Sequence, residues 1–138
     1  PTLALRLFFP YGAGQRERLV ADLIGRVREG RAITLSGDGG GLVFNPTHVD
    51  DIVAVAEQAI HAGWRGLLNV ASSTSVSLRE VGDTIAGRLG KTAIFEHIPA
   101  PAGLPLIPDI SRLAGLWPAC RFRSFADGLR ETIDGEGA

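Results

Sequence analysis

Methionine is absent from these 138 residues, cysteine and tyrosine occur once each, and net charge is close to zero at -1. A lone Cys120 forms no internal disulfide, and no paired Cys/His spacing suggests zinc. A reducing cytoplasm fits that usage. Lys and Arg are scattered, so no basic stripe points to nucleic acid or to an anionic membrane. No apolar run approaches the roughly 20 residues of a membrane span, and no signal-peptide pattern opens the chain. Without methionine, Pro1 is not a translation start. Residues 3–9 nevertheless read as a buried strand with nothing before it, which predicts that a preceding portion is missing. What remains is ordinary for a soluble domain: 45% hydrophobic and 21% charged residues.

The chain alternates strand and helix signals, an α/β pattern of short strands and about five helices. Leu3 to Phe9 is the first strand, bounded by Pro10 and Gly12. From Gln15 to Glu29, Leu19, Val20, Leu23, Ile24 and Val27 recur at helical spacing, and Gly30 is placed for a left-handed cap. Ala32–Leu35 and Leu42–Thr47 read as short strands around Gly37–Gly41, with Pro46 marking a strand end or edge. Val49, Ile52, Val53, Ala56, Ala59 and Ile60 mark a helix ending at Gly63. Leu67–Ala71 is a strand. Ser77-Leu78-Arg79-Glu80 has capping-box spacing, with Val76 and Val81 placed as a hydrophobic staple, and its helix stops at Gly90. Thr92–Ile98 is a strand. Pro99–Pro108, with four prolines, is an extended loop. A short helix covers Ile110–Leu116 with Asp109 as N-cap, and a last one runs from Ser124 to about Ile133 before a fraying tail.

The candidate chemistry gathers around Gly37–Asp51. Backbone N–H groups of the glycine loop could cradle a phosphate, but a loop joining two short strands is the plainer expectation. Asp50 and Asp51 are expected to charge a helix start, at about 0.3–1 kcal/mol each, with one tying down a neighbouring loop. His48 has two open readings, a titrating group beside a substrate or a hydrogen-bonded structural residue. Asn45, forced extended by Pro46, either faces a ligand or closes a turn. Phe8 is expected in the core. Phe9, Pro10 and Tyr11, at the carboxyl end of a strand, are expected to wall a site. Arg16 and Arg18 read as solvated helix residues, Cys120 as inert, and Trp64 and Trp117 as packing anchors.

Four ordered segments resemble the NAD-dependent epimerase/dehydratase family, the extended short-chain dehydrogenase/reductases. They are Leu5–Gly12, Gly37-Asp38-Gly39 with Val49-Asp50-Asp51, Leu68–Ser72 with Ser77–Val81, and Asp109–Leu113. The resemblance implies the C-terminal part of an extended Rossmann-type enzyme, with residues 1–14 as its late Rossmann strand and loop. Residues 1–138 would then be a single substrate-binding domain lacking the cofactor-binding half. It implies NAD or NADP in the full-length protein, none bound to this chain alone, and a sugar-like substrate walled by Phe9, Pro10, Tyr11, Phe44, Asn45 and His48. No G-x-x-G-x-x-G fingerprint is present. Gln15 stands four residues after Tyr11, so the family's catalytic Tyr-x-x-x-Lys is absent too, and no catalytic residue is expected here. Phe9 replaces an Asn of many nucleotide-sugar members, and Phe44-Asn45-Pro46 replaces an Arg-Asp-Phe triplet whose Arg faces a diphosphate. Ala100–Leu104 replaces a late Arg motif. Those losses predict a substrate less anionic than a nucleotide sugar, such as a polyol, lactone or carbonyl compound. The other reading is a stand-alone, non-catalytic ligand-binding or oligomerisation module. The unpaired first strand predicts a homo-oligomer for the isolated piece.

Overall fold

The computed structural model describes residues 2–37 and 39–137, so Asp38 of the glycine stretch lies outside the described residues. In chain order the elements are β1 (Leu3–Leu7), β2 (Pro10–Tyr11), α1 (Leu19–Glu29), β3 (Ile33–Ser36), β4 (Val43–Phe44), β5 (Thr47–His48) and α2 (Val49–His61). Then follow β6 (Gly66–Val70), β7 (Val76–Ser77), α3 (Leu78–Leu89), β8 (Phe95–Ile98), α4 (Ser111–Leu116) and α5 (Phe125–Glu136). The α/β class and the five helices agree with the sequence pattern.

The strands form four pairs. Three are parallel: β1 with β6, β2 with β5, and β3 with β8. The fourth, β4 with β7, is antiparallel. Parallel pairs need long crossovers, and the helices supply them.

Two apolar cores result. The larger joins Val20, Leu23, Ile24 and Val27 of α1 to Val81, Ile85 and Ala86 of α3, Leu129 of α5, and Ile33, Leu35, Phe44 and Tyr11 from the strands. In α1 those positions recur every three or four residues, so one stripe of the helix is buried and its arginines face water. The smaller core holds Leu68 and Val70 of β6, Val55 of α2 and Leu113 of α4, with Trp64 and Trp117 packed against it as anchors. The opposite face of the β1–β6 pair stays open: Leu67 is 45% exposed, and Ala4 and Arg6 on the same face of β1 are exposed.

Several boundaries differ from the pattern for local reasons. β1 stops at Leu7 because the backbone turns over at Phe9, where φ is 43°. α1 starts at Leu19 rather than Gln15, since Glu17 sits at φ 55° and Arg18 is extended. The expected strand over 42–47 splits at Pro46 into β4 and β5, which pair with different partners. β7 falls on Val76 and Ser77, which the sequence marks only as staple and cap of the following helix. Asp109 Oδ1 does accept from the Ser111 N–H at 2.8 Å, but the helix itself begins at Ser111. α5 continues to Glu136 instead of fraying near Ile133, and Arg28 Nη1 reaches the Glu136 carboxylate at 2.7 Å.

The helix signals hold where they are local. Gly30 and Gly90 adopt the left-handed cap at φ 68° and 63°. The Ser77–Glu80 capping box is complete: Glu80 Oε2 accepts the Ser77 N–H at 2.6 Å, and Ser77 Oγ accepts the Glu80 N–H at 3.2 Å. The Ser77 N–H first, and then the Ser77 hydroxyl donating to Oε2 at 2.8 Å, hold the Glu80 carboxyl below its ordinary pKa.

Candidate functional site

The glycine stretch is filled by its own chain. A Cβ at Gly40 would stand 2.8 Å from Ser77, one at Gly41 3.0 Å from Leu35, and one at Gly37 3.0 Å from Ala102. The Gly40 carbonyl accepts from Arg79 N–H at 3.0 Å, and the Gly37 carbonyl meets His97 Nδ1 at 3.1 Å. Gly37, Gly40 and Gly41 therefore serve close packing, whereas a Cβ at Gly39 would meet nothing within 4 Å.

The six expected wall residues divide. Phe9 and Pro10 front a cleft of about 320 Å³ that also takes in Glu17, Arg18, Leu19 and Val20. Among the described residues, Phe9 and Glu17 are the only non-glycine positions with positive φ, and both line this cleft. Such backbone costs of order 1–2 kcal/mol and tends to collect at functional sites. The N-terminus of α1 opens onto the same cleft without a side-chain cap. Arg18, read as a solvated helix residue, is part of its lining.

The other four point inward. Phe44 is fully buried and stacks on Phe9, ring centroids 4.7 Å apart. Asn45 closes a turn: Nδ2 donates to the Ser72 carbonyl at 2.7 Å, and Oδ1 accepts from Ser75 Oγ at 3.2 Å. Thr47 Oγ1 accepts from the Ser72 N–H at 2.9 Å, so β5 and the end of β6 are stitched together by buried polar bonds. Tyr11 lies 2% exposed, and burial first, then Asp51, pushes its phenol well above the ordinary value. The phenol therefore stays protonated at neutral pH. A side chain on Gly128 of α5 would overlap Tyr11 Oη, which explains the glycine there.

His48 is 4% exposed and caps α2: Nδ1 accepts the Asp50 N–H at 3.3 Å. Histidine is not a favoured N-cap, so this role was not legible in advance. The unforeseen residue is Arg123. Its Nη1 lies 2.9 Å from His48 Nδ1, 3.2 Å from Asp50 and 2.6 Å from Glu131, while Nε meets Asp51 at 3.1 Å. Asp51 also accepts the Arg123 N–H at 3.1 Å, the expected tie to a neighbouring loop. Nitrogen and oxygen atoms of His48, Asp50 and Glu131 lie within 4.8 Å of one another, the composition of a divalent-cation site. The Arg123 guanidinium already fills it as the cation.

A second cleft, about 360 Å³, lies between α4 and residues 117–122, with Trp117, Cys120 and Phe122 in its wall. Burial, then Asp51, pushes the Cys120 thiol up, away from reactivity.

The fold so described has parallel strands crossed by helices and a cleft after the first strand. No family model and no curated protein matches the sequence, whereas solved structures match it closely in fold. UDP-glucose 4-epimerase of Thermus thermophilus, in complex with NAD, aligns at TM-score 0.80 and 25% identity over 99% of this chain and 46% of its own. The dTDP-glucose 4,6-dehydratase of Bacillus anthracis, also with NAD, gives TM-score 0.80 at 24% identity over 98% of this chain and 44% of its own. UDP-glucuronic acid 4-epimerase of Bacillus cereus gives 0.79 at 24% identity, covering 98% and 45%. The chain therefore has the fold of the C-terminal part of the NAD-dependent epimerase/dehydratase family, as its motifs indicated. It spans less than half the length of these structures. No described helix is long and apolar enough to cross a membrane.

Proposed function

We propose that this chain is the substrate-binding C-terminal portion of an NAD(P)-dependent epimerase, dehydratase or reductase acting on a sugar or a related polyol or carbonyl compound. The observation that supports the reading most is the cleft at Phe9, Pro10, Glu17 and Arg18, where the two strained non-glycine residues meet. Phe9 supplies a flat apolar wall suited to a sugar face; the Phe44 ring packs against it, and the Thr47 N–H donates to the Phe9 carbonyl at 3.1 Å. Glu17 and Arg18 offer an acceptor and donors for hydroxyls. Bound by the preceding half, NAD or NADP would supply hydride transfer. The open face and free edge of β1 suit continuation by that half, or by a second copy of the isolated piece.

The test is titration calorimetry on the full-length protein with cofactor, using polyols, sugar lactones and UDP-sugars. The expected result is binding of an uncharged sugar-like ligand that Phe9→Ala weakens about tenfold, equivalent to about 1.4 kcal/mol, with cofactor affinity unchanged. Micromolar binding of UDP-sugars overturns the uncharged-substrate part. Ligand binding indifferent to Phe9→Ala overturns the site.

A further inference from the structure

The joint around Arg123 has one member whose charge is not fixed near neutral pH. His48 Nδ1 already faces two donors, the Asp50 N–H at 3.3 Å and Arg123 Nη1 at 2.9 Å. That nitrogen is the acceptor, so the ring proton sits on Nε2. Among the described residues Nε2 is buried and has no hydrogen-bond partner. The ring is wedged between the Tyr11 edge, at 5.2 Å between centroids, and Gly128 of α5, where a Cβ would stand 3.1 Å from its Cδ2.

We propose that His48 and Arg123 form a proton-sensitive latch that holds α5 and the segment before it against β2, β5 and the start of α2. In the neutral state His48 accepts, Arg123 is clasped by Asp50, Asp51 and Glu131, and Ser124 caps α5 by accepting the Asp127 N–H at 3.1 Å. A proton on Nδ1 removes the α2 cap and sets an imidazolium against the guanidinium. The charges facing the ring are Arg123 from the preceding segment, Asp50 and Asp51 from α2, and Glu131 from α5; Asp127 of α5 and the Tyr11 phenol of β2 belong to the same cluster. Asp50, at 3.7 Å, is the carboxylate nearest the imidazole, and it is 64% exposed, so water screens its compensation. Burial first, and Arg123 second, hold the imidazole below its ordinary value. A depressed folded value means that the unfolded chain binds the proton more readily. The stability is therefore present above about pH 6.5 and is lost as pH falls towards the folded value.

Hydrogen exchange of the full-length protein, corrected for intrinsic rates, tests this between pH 7.5 and 5.5. The α5 amides should lose protection below about pH 6.5, by at most tenfold per pH unit because one proton is taken up. The α3 amides should hold theirs. His48→Asn keeps a capping acceptor but cannot titrate, and should flatten the α5 profile. An unchanged pH profile in that variant, or α5 protection indifferent to pH in the natural protein, overturns the latch. Should the variant not fold, the His48 ring can be followed by NMR in the natural protein. Its protonation should coincide with α5 opening, and titration at the ordinary value with α5 closed overturns the proposal.

Discussion

The two cores are finished to different degrees. Around α1, α3 and α5 the apolar stripes face one another, both capping glycines are in place, and Phe44 is wholly enclosed. Around β1 and β6 one face is packed by α2 and α4 while the other shows Leu67 to solvent, and β1 has no partner but β6 among the described residues. The difference separates a part that covers its own apolar surface from a part that leaves one sheet face exposed. The candidate cleft lies where the chain passes from one to the other, through Phe9.

The sharpest way to break that comparison is a pair of core truncations compared by urea denaturation. Phe44→Ala should cost about 4 kcal/mol, because nothing can relax into the space. Leu68→Ala should cost about 2 kcal/mol, at the lower end for such changes, since its sheet is open on one side. Equal costs would erase the distinction. A middle effect is expected at the seam between the cores. Asn45→Ala leaves the Ser72 carbonyl and the Ser75 hydroxyl without their partner, for about 2 kcal/mol by the same measurement. The smallest belongs to the rim. Arg88→Ala removes an exposed ion pair with Asp134 and should change stability by less than about 1 kcal/mol. A larger loss there would mean that α5 depends on its rim more than on its buried face.

What could be read from the sequence was mostly what neighbours in sequence decide. The capping box at Ser77 and Glu80 and the left-handed glycines after α1 and α3 need only a few adjacent residues, and they stand where expected. The same is true of the class, since strand–helix alternation is a local signal. The joint is another matter. Arg123 lies 75 residues from His48 and 72 from Asp51, and nothing near it in the sequence marks it. Tyr11 and Phe44 carried no mark of facing inward, because aromatic side chains after a strand serve a core or a cleft equally well. Asn45 had two open readings until Ser72, 27 residues away, decided for the turn.

The last helix is held by unlike forces at its two ends. At its start, Ser124, Gly128 and the Arg123 joint are enclosed or capped, whereas the later residues Asp134 and Glu136 rely on pairs with Arg88 and Arg28. In about 1 M salt the screening length shrinks to about 3 Å, and the outer pairs weaken far more than the enclosed ones. Ionic strength and acidity thus act on opposite ends of the same helix: brine loosens the ties at its carboxyl end, acid those at its amino end.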